Sequence, residues 1–241
     1  MSLLTAWQQI DSSDAIVLWH IRIPRLLLGL LVGAGLAVCG AVMQGLFRNP
    51  LADPGLIGIS SGAALGAALA IVLGHRLLGD TPLQAWLTPL ASFVMGSLVT
   101  LLVYQIASQQ GKTQVATLLL AGIAMQAIAG AAVGLLTYLA DDAQLRDLTF
   151  WSMGGLGGAQ WQTVGVTACL LLPTTALLLT QARGLNAMLL GEAEAEHLGI
   201  CVERLKQWCI ILTALLVGGA VSAAGMIGFV GLVVPHLIRL L

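Results

Sequence analysis

GLNAMLLGEAEAEHLGICVERLK, residues 184–206, is the one long polar interruption in an otherwise apolar chain. With Arg183 it holds seven of the 21 charged residues (Arg183, Glu192, Glu194, Glu196, Glu203, Arg204 and Lys206) within 24 positions. Ionised side chains at the centre of a bilayer cost roughly 2.5 to 3.5 kcal/mol each even on lenient insertion scales, so this density places the segment in water or against another protein. Leu185, Met188, Leu189, Ala193, Leu198 and Ile200 still recur through it, and Gly191 and Gly199 divide it. That pattern predicts two short helices meeting at a glycine. Two readings of the segment stand side by side: a solvated amphipathic connector between membrane spans, or a docking surface for a soluble partner.

The rest of the chain decides its setting. The composition is 58% hydrophobic and 9% charged with mean hydropathy +0.95, against about 25% charged residues in soluble domains. Six apolar runs, 26–47, 55–74, 83–107, 115–140, 162–180 and 208–234, each approach or exceed the ~20 residues that span a bilayer. The last is long and contains Gly225 and Gly228, which fits one span followed at once by the start of another. None of the six contains Asp, Glu, Lys, Arg or His, whereas ion-driven secondary transporters keep ionisable groups near the midplane. Glycines at four-residue spacing (Gly29 and Gly33; Gly58, Gly62 and Gly66; Gly130 and Gly134) predict close helix packing. The chain reads as a packed polytopic bundle in the lipid bilayer.

If the runs cross alternately, Arg22, Arg25, Arg76 and Arg146 lie on one side, and Arg48, Lys112, Arg183, Arg204 and Lys206 on the other. The positive-inside rule only weakly favours the second side as cytoplasmic. A net charge of −1 without a basic run gives no sign of nucleic-acid binding. Cys39, Cys169, Cys201 and Cys209 share no metal-like spacing and read as small hydrophobes. Gly58-Ile59-Ser60-Ser61-Gly62 matches a hydrolase elbow but lies in an apolar helical run without a preceding strand. Gly111-Lys112-Thr113 resembles the end of a P-loop, yet residue 106, where the first glycine belongs, is Ile106. The histidines lack zinc-site pairing. No catalytic residue, metal site or nucleotide site of the chain's own is expected.

Several stretches together carry a more specific signal: Ile21-Arg22-Ile23-Pro24-Arg25, Gly40-Ala41-Val42-Met43-Gln44, Asn49-Pro50-Leu51-Ala52-Asp53-Pro54, Phe150-Trp151-Ser152-Met153-Gly154, Leu189-Leu190-Gly191-Glu192 and Ile227-Gly228-Phe229-Val230-Gly231-Leu232, then Pro235, His236 and Arg239. In this order they resemble the FecCD family of ABC importer permeases, which move iron-siderophores, haem or cobalamin inward across the bacterial inner membrane. The resemblance implies an all-α polytopic transmembrane helix bundle of the ABC importer permease, cobalamin-permease-like type, as one permease domain over 1–241. Residues 138–158 and 182–199 look most like the haem permeases. Family members have ten membrane helices, whereas here IRIPR, which precedes the second, stands at 21–25, and the chain stops after PHLIRLL. About six or seven of the ten helices are therefore expected in this fragment or truncated product.

The resemblance also implies partners and site residues. The chain would work as a homodimer with a separate ABC ATPase subunit, which binds the ATP, and a periplasmic substrate-binding protein. Haem or a related iron chelate would be transported substrate, with no permanently bound cofactor. Residues 184–206 would form the cytoplasmic coupling segment, with Leu189, Gly191, Glu192, Ala193, Leu198 and Gly199 facing the ATPase. Arg22 and Arg25 would dock carboxylates of the binding protein, where guanidinium suits bidentate pairing. Interfacial snorkelling at a helix start is the other reading of the two arginines. Met125 and Gln126 would line the translocation path, with Arg146 at its outer mouth, unless Arg146 is simply paired with Asp142 or Asp147 in a turn. Cobalamin or a siderophore is the alternative cargo, and a secondary transporter or channel the alternative class.

Overall fold

The computed structural model describes residues 13–78, 84–109 and 111–240. The chain enters as α1 (Ser13–Val17), winds through a π-helical turn (Leu18–Arg22) and continues as α2 (Ile23–Phe47). Pro24, which has no N–H to donate, follows directly on the π-helical turn, whose last bond runs from the N–H of Ile23 to Leu18 O. Arg48, at φ 48°, ends α2. In the following loop Asn49 Oδ1 accepts from the N–H of Leu51, and Asp53 Oδ1 accepts from the N–H of Gly55 to cap a 3₁₀ turn (Pro54–Ile57). Then come α3 (Ile59–Leu78) and α4 (Gln84–Ala107), a two-residue antiparallel ribbon of β1 (Ser108–Gln109) and β2 (Lys112–Thr113), and α5 (Val115–Leu139). The amphipathic α6 (Asp142–Met153) precedes α7 (Trp161–Thr180); the short α8 (Ala182–Met188) and α9 (Glu192–His197) precede α10 (Val202–Ala224) and α11 (Val230–Leu240).

Five stretches are long and apolar enough to cross a membrane, within Asp14–Phe47, Trp86–Ala107, Val115–Leu139, Trp161–Thr180 and Val202–Ala224; Ile59–Gly74 and Val230–Leu240 are shorter apolar helices. Each apolar run of the sequence thus reappears as helix over most of its length, the run 55–74 opening with the 3₁₀ turn and Gly58 before α3; residue 83 lies outside the described residues. The last run is broken after Ala224, where Gly225 adopts φ 69° and Phe229 φ 66°. Backbone inside a membrane must bond within the protein. Here the N–H of Gly225 reaches Val221 O at 2.8 Å, and the N–H of Gly155 reaches Ala224 O at 2.7 Å.

Glycines set the helix crossings. A Cβ on Gly66 would stand 2.2 Å from Ala91 O, and one on Gly62 2.8 Å from Met95 O, so α3 and α4 meet backbone to backbone. Gly40 has the same role where α2 meets α11: its Cβ would fall 1.7 Å from Gly231 O. The expectation fails for Gly33, Gly130 and Gly134, around which a Cβ would meet nothing within 4 Å. The reason is position, since the last two lie on α5, whose apolar window is only 17% buried and presents Leu120, Ile123, Ile128 and Leu135 outward. At the other extreme α10 is 67% buried and forms the centre of the bundle. All four cysteines are free thiols.

Candidate functional site

The 184–206 segment folds as two short helices divided at Gly191, as its glycines predict. Gly191 holds φ 127° and ψ 154°, a conformation that side-chain-bearing residues avoid, and Gly199 holds φ 82° after α9. Met188 and Ala195 are fully buried and Leu185 nearly so, which anchors the pair on the bundle. On the opposite side Leu189, Leu190 and Leu198 are 61%, 69% and 64% exposed. Ala193, Glu194, Glu196 and Gly199 are exposed between them. Large apolar side chains held out by a fixed backbone, with the exposed carboxylates of Glu194 and Glu196 on the same helix pair, make a knob suited to a complementary surface.

Glu192 belongs to a different part of the site. Its Oε2 lies 2.8 Å from Lys206 Nζ, and Lys206 is only 2% exposed. The same ammonium donates to Glu203 Oε1 at 3.3 Å and to Thr113 O at 3.0 Å, while Glu203 Oε2 accepts from the N–H of Thr113 at 2.8 Å. Glu192 therefore faces inward in part, toward a small cavity of about 290 Å³ that Arg48, Lys112, Gln114, Glu203 and Lys206 also line. The charge count of the segment places it in water or against another protein, yet Lys206 is buried within the chain itself. The signal is present in the spacing: Val202, Leu205, Cys209 and Ile210 form the apolar stripe of α10, and Lys206 falls within it.

At the far end of α2, about 37 Å away by helical rise, Arg22 and Arg25 are exposed. Arg22 borders a shallow cavity of about 250 Å³ with Asp14, Val17 and Leu18. Trp161 Nε1 donates to Trp19 O at 2.9 Å and ties the start of α7 to this entry turn. Arg146 is exposed on α6 at the same end. Both ion pairs among the described residues belong to Lys206, so the pairing of Arg146 with Asp142 or Asp147 is not formed. Asp141 instead caps α6, accepting from the N–H of Gln144 at 2.9 Å, while Gln144 Nε2 reaches across to Val72 O at 3.3 Å.

Met125 and Gln126 do not share a face. Met125 is half-buried against the core, 3.9 Å from where a Cβ on Gly58 would lie, and Gln126 is exposed on the outer flank of α5. Gln126 is also roughly 20 Å of helical rise from the α5 end that leads to Arg146. The largest cavity described, about 600 Å³, lies between α4, α7 and the end of α10; Trp86, Phe93, Gln162, Thr167 and Ser222 line it, not Met125 or Gln126. A further polar contact links two of the quoted motifs, for the buried Gln44 donates to Leu232 O at 3.2 Å and accepts from Arg239.

The model of the FecCD transport family matches residues 1–241. The chain is 51% identical over 244 residues to the hemin transport system permease protein HmuU of Yersinia pestis, covering 100% of this chain and 71% of that one. It is 41% identical over 232 residues to the cobalamin import system permease protein BtuC of Halobacterium salinarum, covering 96% of this chain and 60% of that one. Among solved structures, a metal-chelate type ABC transporter in an inward-facing conformation superposes with a TM-score of 0.87 at 35% identity, over 97% of this chain and 72% of that one. The chain belongs to the FecCD transport family and has the fold of its ABC importer permeases.

Proposed function

We propose that the chain is the membrane-spanning permease subunit of an ATP-driven importer that carries haem from periplasm to cytoplasm across a bacterial inner membrane. The observation that carries the cargo is the 51% identity to a hemin permease along the whole chain, ten points above the cobalamin permease of Halobacterium. In this reading the subunit acts as a homodimer with a separate ATPase and a periplasmic binding protein. The 184–206 segment is cytoplasmic, and the exposed Leu189, Leu190 and Leu198 with Ala193 fit a groove on the ATPase. Gly191 and Gly199 fix the shape of that knob. Arg22 and Arg25, exposed and without ion pairs among the described residues, are available to carboxylates of the binding protein.

Haem presents a broad apolar ring and two propionates, so a largely apolar route with a cation near its mouth suits it. Arg146 supplies that cation, and Gln126, exposed on α5, supplies a neutral hydrogen-bonding group toward a second copy. Met125 contributes by packing α5 against Gly58. The 41% identity to a cobalamin permease keeps cobalamin as the second cargo. The test is uptake into proteoliposomes holding the chain, its ATPase and its binding protein. ATP-dependent haem accumulation that excess cobalamin does not reduce is expected; cobalamin uptake without haem uptake overturns the cargo, and uptake without ATP overturns the class.

A further inference from the structure

Lys206 sits in the second turn of α10 as a buried cation whose three protons have three acceptors: Glu192 Oε2, Glu203 Oε1 and Thr113 O. Those acceptors come from three elements, namely the first residue of α9, the first turn of α10 and the ribbon strand that leads into α5. A buried ammonium that loses one such partner is left with an uncompensated proton, so the arrangement is strongly specified. Glu203 closes the ring by accepting the N–H of Thr113 through its other oxygen. The start of α9, the root of α10 and the entry to α5 therefore hold one another in a single geometry.

What lies beyond this knot gives it a use. α10 is the most buried of the spans and runs 23 residues, about 33 Å between its terminal residues. At its far end Gly225 fits so tightly that a Cβ would stand 2.5 Å from Trp151 O, and Gly154 packs against Met226 O. Trp151 belongs to α6, the helix that carries Arg146. A displacement of α9 that keeps the Lys206 bonds must therefore move α10, and with it the backbone junction at the opposite end of the bundle.

We infer that Lys206 is the positioning residue that transmits motion of the α8–α9 pair into α10. This rests on the reading of α8–α9 as the ATPase-facing pair. The role differs from simple stabilisation in what it controls: a purely structural lysine sets how much folded complex exists, whereas a transmitting one sets how much substrate moves per ATP hydrolysed.

The experiment measures haem accumulated per ATP hydrolysed in proteoliposomes with ATPase and binding protein, together with ATPase co-purification, for the unmodified chain, Lys206→Met and Glu192→Gln. Methionine keeps the length of the lysine stem without its charge. In Lys206→Met the ATPase is expected to co-purify while the transport-to-hydrolysis ratio falls by about tenfold, the size of a typical coupling between two sites. Glu192→Gln retains an acceptor oxygen, so a smaller drop in the same ratio is expected. An unchanged ratio in Lys206→Met overturns the inference and leaves the docking reading intact. If Lys206→Met does not accumulate, an unchanged ratio in Glu192→Gln overturns it instead. Failure of the unmodified chain to retain any ATPase overturns the docking reading on which the inference stands.

Discussion

At the 184–206 end, Lys206, Glu192 and Glu203 are drawn inward into one hydrogen-bonded knot, and the surface is left to Leu189, Leu190 and Leu198. At the Arg22 end the pattern is inverted: Arg22, Arg25 and Arg146 stand exposed without ion pairs among the described residues, while packing there is left to backbone and glycine contacts such as Gly154 on Met226 and Trp161 on Trp19. Charge thus serves internal geometry at one end and is available to outside carboxylates or anions at the other. Reversing a charge should cost stability at the first end and only recognition at the second.

The largest effect expected on stability is for Glu192→Lys, which sets a second ammonium against Lys206. Breaking a buried pair costs about 3 to 5 kcal/mol; with the Glu192 side chain 39% exposed, solvent screening reduces this to about 2 kcal/mol. Glu194→Lys and Glu196→Lys, on exposed residues of the same helix, are expected to leave the thermal unfolding midpoint of the detergent-solubilised protein unchanged. A Glu192→Lys protein as stable as the Glu194→Lys protein would break the contrast between the two ends.

Gly191→Ala is comparable, at about 1 to 3 kcal/mol, because φ 127° with ψ 154° is a region that alanine tolerates poorly. The space itself is open, since a Cβ there would meet only Glu194 Cγ at 3.9 Å. The cost is therefore conformational. Gly199→Ala, at φ 82° with nothing within 4 Å, is expected to cost less, about 1 to 2 kcal/mol. Equal midpoints for the Gly191→Ala and unmodified proteins would show that the hinge of the α8–α9 pair relaxes freely.

These positions also show where the sequence was legible. Apolar runs gave the spans because bilayer thickness fixes their length, and Gly191 and Gly199 divided the polar segment correctly because positive φ selects glycine. Residue composition could not sort Glu192 from Glu194, two positions apart with the same side chain, since burial of Lys206 depends on the ribbon at Thr113 arriving from 93 residues away. Glycine spacing misjudged Gly130 and Gly134 for a related reason: a small-residue stripe states that a close approach is allowed, and only the packing of α5 decides whether a neighbour arrives. The break at Gly225 was readable, whereas its contact with Trp151 was not, because nothing local links the two residues.

The contrast is sharpened at the other end by Arg22→Glu combined with Arg25→Glu. Neither side chain makes an ion pair among the described residues, so the unfolding midpoint should stay where it is. Affinity for the binding protein should fall by a hundredfold or about that, as like charges replace opposite ones, and the native affinity should itself weaken as salt rises. Unaltered binding in the double variant would return the two arginines to interfacial anchoring.

Arg146 gives the smallest and most discriminating effect. It is exposed on α6, with Asp142 one turn earlier and Asp147 beside it, yet it pairs with neither. The carboxylate that organises this helix is Asp141, which is occupied by the N–H of Gln144. Removing the guanidinium therefore disturbs no bond that holds α6 in place, and Arg146→Ala should match the unmodified protein in stability and in binding-protein affinity. If the side chain meets a propionate at the mouth of the path, haem uptake should nevertheless fall by about fivefold, the worth of one exposed charge contact of about 1 kcal/mol. Arg146→Lys separates the two ways such a contact can act: recovery of most of the uptake would mean that charge alone suffices, and failure to recover would mean that the planar two-pronged donor is required. Normal uptake in Arg146→Ala would remove Arg146 from the path and confine the recognition role at this end to Arg22 and Arg25.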